Sequence, residues 1–91
     1  MPTLTGEIWI QEANTHNVYC LDADEFNLEE VERTTEPMGN RVTYEADYDT
    51  GGNGFGVKIT IYEYPDGAID GGVETELQNC REIKNTLQAT L

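Results

Sequence analysis

The stretch Arg41-Val42-Thr43-Tyr44-Glu45-Ala46-Asp47-Tyr48-Asp49 decides the fold. Val42, Tyr44, Ala46 and Tyr48 alternate with Thr43, Glu45, Asp47 and Asp49. Successive side chains of a strand point to opposite faces, so this period of two predicts a half-buried β-strand. The next run, Phe55 to Tyr64, repeats the pattern: Val57, Ile59 and Ile61 face one way, and Lys58, Thr60, Tyr62 and Tyr64 the other. Between them, Thr50-Gly51-Gly52-Asn53-Gly54 is rich in residues that tolerate positive φ, and the pair predicts a hairpin.

Outward from this hairpin, Pro65-Asp66-Gly67 reads as a tight turn, and Ala68 to Val73 as a short third strand weakened by Gly71 and Gly72. Toward the N-terminus, Gly6 to Ala13 sets Ile8 and Ile10 against Glu7, Trp9 and Gln11. Asn14-Thr15-His16-Asn17 is a turn cluster, and Val18 to Leu21 resumes β-forming residues. These segments predict another hairpin.

Two segments carry helical signals. In 22–36, Asn27 followed by Glu30 fits a capping pair, Phe26 a staple, and Leu28, Val31 and Thr35 a short apolar stripe ended by Pro37 and Gly39. Its rival is an edge strand, because Val31, Thr34 and Thr35 are β-formers and so short a helix is marginal alone. In the C-terminal segment, Leu77, Cys80, Ile83 or Lys84, Leu87 and Leu91 recur at steps of three and four, with Thr75 and Gln78 as a capping box. The expected fold is therefore α+β. It is a single domain, 1–91, with an antiparallel sheet of about five strands (two hairpins plus a short strand). A C-terminal amphipathic helix and a short acidic helix pack on one face.

Charge sets the functional expectations. Eighteen Asp and Glu oppose five Lys and Arg, a formal charge of −13. Aromatic and β-branched residues are plentiful, so this is a folding composition and not a disordered one. Within 22–36, seven acids (Asp22, Asp24, Glu25, Glu29, Glu30, Glu32 and Glu36) meet one cation, Arg33. Glu45, Asp47 and Asp49 share one strand face at steps of ~7 Å, from a rise of about 3.4 Å per residue. Such a row of like charges repels, and it resembles the regular negative charge of a nucleic-acid backbone. Trp9, Tyr62 and Tyr64 fall on the polar sides of their strands, where they are candidate interface anchors.

Catalytic and metal signals are weak. The chain has no serine and one histidine, His16, which excludes Ser-His-Asp chemistry. Asp47-x-Asp49-x-Gly51-Gly52-Asn53 starts like a calcium loop, but Gly51 and Lys58 stand where Asp or Asn and the bidentate Glu belong. Cys20 and Cys80 lie far apart without a Cys-x-x-Cys, and read as small buried hydrophobes kept reduced, with a disulfide as the alternative if the fold brings them together. No cofactor, metal or catalytic residue is expected. Met1 to Glu7 lacks the basic region and apolar run of a signal peptide, and no apolar stretch approaches the ~20 residues of a membrane helix, so the expected compartment is the cytoplasm.

Phosphate would repel this chain, so direct nucleic-acid and anionic-membrane binding are disfavoured. The expected partner is a basic protein surface, the nucleic-acid-binding site of another protein. The expected function is that of a non-enzymatic inhibitor or immunity-type protein, of the kind phages and mobile elements encode. Its binding residues would be Asp22, Asp24, Glu25, Glu29, Glu30, Glu32, Glu45, Asp47 and Asp49, with Trp9, Tyr62 and Tyr64 as anchors. The alternative is a salt-adapted structural or interaction domain, to which an acid-rich surface with only two lysines, Lys58 and Lys84, is suited.

Overall fold

The computed structural model describes residues 2–49, 54–69 and 72–90. They form nine strands: β1 (Thr3–Thr5), β2 (Glu7–Glu12), β3 (Val18–Asp22), β4 (Glu29–Glu36), β5 (Gly39–Asp49), β6 (Gly56–Glu63), β7 (Glu74–Gln78), β8 (Cys80–Asn85) and β9 (Gln88–Thr90). The one helical feature among the described residues is a single 3-10 turn, Ala23–Glu25. Every pairing is antiparallel. The strands form a four-stranded sheet, β4-β5-β6-β7, a three-stranded sheet, β3-β2-β8, and a two-stranded ribbon, β1-β9.

The α+β expectation is overturned: the fold is nearly all β, and neither predicted helix exists. Residues 29–36 take the rival form, an edge strand paired to β5. Its β-branched residues fit a pleat, and pairing satisfies backbone groups along its whole length. The C-terminal segment becomes β7, β8 and β9, because both hairpins offer open strand edges there. β7 covers the free edge of β6, and β8 covers that of β2. Between them Asn79 takes a left-handed conformation, φ 57°. Asn tolerates this geometry better than most residues, and it breaks the helical path between Leu77 and Cys80. The supposed apolar stripe is thereby dispersed: Leu77 is half-buried, Leu87 is buried, and Ile83 is half exposed.

Both predicted hairpins form, as β2-β3 and β5-β6. Most of the glycine connector, residues 50–53, lies outside the described residues. The expected strand at 68–73 is reduced to one bridge, Ile69 to Glu63; residues 70 and 71 lie outside the described residues, and the next strand starts at Glu74.

The inner faces of the two larger sheets share one apolar cluster. Ile8, Ile10 and Leu21 come from one; Val42, Tyr44, Ala46, Val57, Ile59 and Ile61 come from the other. Leu87 and Ala89 extend the cluster toward the ribbon, and Phe26 and Phe55 close it from the connections. A file of rings runs through this seam: Tyr19 to Phe55 at 4.9 Å, Phe55 to Tyr48 at 5.8 Å, and Tyr48 to Phe26 at 6.3 Å between centroids. Each fully buried Ile or Val contributes about 1.5–3 kcal/mol relative to exposure, so the alternating positions of β5 and β6 dominate stability.

Two glycines fasten the periphery. Gly39 (φ +135°) opens β5, where an added Cβ would lie 2.1 Å from the Pro65 carbonyl oxygen. Gly6 (φ +95°) links β1 to β2, where a Cβ would lie 2.2 Å from the Thr86 carbonyl oxygen. Both the backbone angle and the space demand glycine.

Candidate protein-docking face

Directly opposed residues of an antiparallel pair project to the same side of the sheet. The register therefore defines the outer face of the four-stranded sheet row by row. Glu29 opposes Glu45, Glu45 opposes Thr60, and Thr60 opposes Glu74. Asp47 opposes Lys58, which opposes Glu76. Asp49 opposes Gly56, and Glu32 opposes Thr43, which opposes Tyr62. Eight carboxylates, Glu29, Glu32, Glu36, Glu45, Asp47, Asp49, Glu74 and Glu76, thus share a face with two cations, Arg41 and Lys58. They lie ~7 Å apart along a strand and about 4.8 Å apart between strands.

Lys58 sits inside this array. Its Nζ lies 3.3 Å from Glu45 Oε1. The bond to Glu45, then the charges of Glu45, Asp47 and Glu76, raise its pKa against a small desolvation effect. Arg41 is engaged twice: its Nε donates to Glu36 Oε1 at 3.2 Å, and its guanidinium lies over the Tyr64 ring at 5.7 Å. Arg33 pairs with Glu30. Each cation of this sheet is therefore spent on a carboxylate, and the remaining acids dominate the face. Tyr62 donates to Glu74 Oε2 at 3.4 Å; the Glu74 charge, with some desolvation and that bond, raises its pKa.

Of the sequence-predicted site residues, Glu29, Glu32, Glu45, Asp47, Asp49 and Tyr62 share this face, and Tyr64 follows just past β6. The others are dispersed. Glu30 opposes Tyr44 and belongs to the other side of β4. Asp24 and Glu25 occupy the 3-10 turn, where the Glu25 carboxylate accepts the Asp22 backbone N–H at 2.9 Å. Asp22 ends β3 opposite Glu7. Trp9 lies on the outer face of the three-stranded sheet, opposite Cys20 and Lys84. Sequence reading missed Glu74 and Glu76. Glu74-Thr75-Glu76-Leu77-Gln78 does alternate, and that signal would have found them.

The Trp9 face is electrostatically different. Glu7 accepts hydrogen bonds from the Trp9 indole and, at 3.2 Å, from the Cys20 thiol. With the attraction of Lys84 these outweigh desolvation and hold its carboxyl below the ordinary range. Cys20 is pushed up to about 11 by desolvation, although its residue is exposed, then by the bond to Glu7 and the charges of Glu7, Asp22 and Glu25. Glu7, Cys20 and Asp22 bring donor atoms within 4.8 Å of one another, and the Cys20 thiol, held protonated, donates to Glu7. Arg81 Nε donates to Gln11 Oε1 at 2.8 Å.

Neither cysteine is prepared for catalysis. Both are free thiols; Cys80 donates to the Gly56 carbonyl at 3.6 Å, and burial, its largest influence, pushes it up. His16 holds a left-handed position, φ 61°, in the β2-β3 turn. Asp47 and Asp49 of the calcium-like motif stand on β5, and the next four residues of that motif lie outside the described residues. No helix among the described residues is long and apolar enough to cross a membrane. Compared with protein-family models, curated proteins and solved structures, the chain matches none.

Proposed function

We propose that this protein is a non-enzymatic binding protein whose four-stranded sheet docks on a basic protein surface, the nucleic-acid-binding site of its partner, and blocks it. The observation that carries the reading is the open sheet face on which eight carboxylates stand at pleat spacing against two engaged cations. A paired sheet presents its charges on an ordered backbone, so little backbone entropy is lost on docking. The acidic face steers a cationic partner, and the expected signature is fast association that weakens steeply with salt.

The test is an affinity capture from the source cell with the wild-type protein and with Glu45→Gln/Asp47→Asn/Asp49→Asn/Glu76→Gln. Support is recovery of a nucleic-acid-binding protein that elutes with salt, is lost with the variant, and is displaced by its own nucleic acid. Recovery of only neutral partners, or of a partner indifferent to the four substitutions, overturns the proposal.

A second reading, salt adaptation, draws on the acids that lie away from this face, such as Asp24, Glu25, Asp66 and Glu82. Folding at low ionic strength separates the two. A docking protein is folded there, whereas a salt-adapted one needs its repulsion screened.

A further inference from the structure

The end of the four-stranded sheet remote from Asp49 offers a different surface. Pro37 and Met38 form the β4-β5 turn, and Tyr64, Pro65 and Asp66 form the exit from β6. With Glu36 they line a cleft of about 490 Å³. Met38 is 79% exposed and Tyr64 36%. We propose that this cleft is the apolar anchor point for the same basic partner. It seats one bulky apolar side chain that lies beside that partner's Lys and Arg residues. The inference rests on the docking reading above and adds to it where the salt-resistant part of the affinity resides.

Three observations carry it. The first is rigidity. Gly39 brings the β4-β5 turn against the Pro65 carbonyl closely enough that no Cβ fits. The β6 exit is closed by backbone bonds from Tyr64 N–H to the Ala68 carbonyl (2.8 Å) and from Gly67 N–H to the Tyr64 carbonyl (2.9 Å), and by Ala68 N–H to Asp66 Oδ1 (3.0 Å). Arg41 ties the two walls, bonded to Glu36 on one and stacked on Tyr64 of the other. A preformed cleft loses little on filling.

The second is composition. Two prolines, an unbranched thioether and a tyrosine meet in one place, and Met and Tyr are adaptable or enriched contact residues at interfaces. The third is charge. The polar residues at the cleft are Glu36 and Asp66, and its one adjacent cation, Arg41, is already paired. Tyr64 stands one residue past β6, in the row of Arg41 on the acidic side of the sheet. An acidic occupant is repelled, and a side chain flanked by Lys or Arg is admitted, with its cations placed toward the carboxylates of β5 and β6.

Two synthetic peptides serve as probes: a short Lys/Arg-only peptide, and the same peptide extended by one Leu. Each is titrated into the protein at low salt and at about 1 M salt, where the screening length is ~3 Å. Isotope-labelled methionine methyl groups report on Met38. The Leu-bearing peptide is expected to bind about tenfold more tightly, to keep that increment at high salt, and to shift the Met38 methyl signal. Met38→Ala and Tyr64→Ala, both at exposed positions, are expected to remove the increment, and Met38→Ala, which touches neither Arg41 nor the acidic face, to leave the affinity of the Lys/Arg-only peptide unchanged. Equal affinities, an unmoved Met38 signal, or an increment that survives both substitutions overturns the anchor alone. Failure of both peptides to bind overturns the docking face with it.

Discussion

On the outer face of β4-β5-β6-β7, eight carboxylates meet two cations; on that of β3-β2-β8, Glu7 and Asp22 meet Arg81 and Lys84 around Trp9. The pleat is the same, and the electrostatics are opposite in design. On the balanced face Glu7 is satisfied by an indole, a thiol and a nearby ammonium, and its carboxyl is held low. On the acidic face Glu29 stands directly opposite Glu45, with Lys58 as the internal counterion. A net charge of −13 does not itself say where repulsion accumulates. Here eight of the acids share the outer face of the broader sheet, where like charges set opposite one another cost stability.

The comparison breaks most severely at the two glycines. Gly39→Ala attacks the end of the acidic sheet, and Gly6→Ala the start of the balanced one, each by forcing a Cβ into a carbonyl oxygen. Each is expected to cost about 2–4 kcal/mol in urea unfolding. A loss below about 0.5 kcal/mol, within the usual range of inert surface substitutions, would remove the close approach from the account.

A smaller effect of opposite sign is expected from Glu29→Gln/Glu32→Gln/Asp47→Asn, which spares Glu45 as the partner of Lys58. Relief of like-charge repulsion stabilises the protein by about 1 kcal/mol at low ionic strength. The gain fades toward 1 M salt, where the screening length is ~3 Å. Lys84→Gln, which removes the ammonium near Glu7 on the balanced face, is expected to shift low-salt stability slightly in the opposite direction. Destabilisation by the triple substitution at low salt would show that these acids are structurally compensated and would sharpen the question of what compensates them.

Cys20 gives a chemical readout of the balanced face. With its pKa moved from an ordinary 9.0 to about 11, its thiolate is ~100-fold scarcer below pH 9. Greater intrinsic nucleophilicity offsets part of this, so alkylation is expected about tenfold slower than for a free thiol. Glu7→Gln should speed it by removing the adjacent negative charge. A rate equal to that of a free thiol would dissolve the Glu7–Cys20 contact.

The smallest effect is the acid limb of stability. The folded-state pKa of Glu7 lies below its unfolded value, so its contribution is present above the ordinary carboxylate pKa. It is lost as pH falls through the lowered value. Urea midpoints measured across acidic pH should fall less steeply for Glu7→Gln than for wild type.

Much of the central sheet was legible because its two faces differ chemically. Val42, Tyr44, Ala46, Val57, Ile59 and Ile61 all enter the core from positions that alternation marks. The C-terminal third was misread for a physical reason. Leu77, Cys80 and Leu87 keep helical spacing only because the left-handed Asn79 restarts the pleat between two short strands. A single sequence does not reveal that β2 and β6 lack neighbours, and those open edges decided the matter. The same error hid Glu74 and Glu76 from the acidic face. The run 22–36 looked like one patch by composition, yet the 3-10 turn and a bulge between Glu30 and Glu32 send its acids to different sides.

Asn79 also has a kinetic consequence. Its side chain bonds the Gly54 carbonyl, and its own carbonyl accepts the Ala13 amide, so this one corner touches both hairpin connections. β7 completes a nearby sheet, while β8 must reach back across 70 residues to Gln11. Until β7 and β8 have been synthesised, both larger sheets carry an open edge. Folding through this corner is therefore expected to be slowed by long-range loop closure.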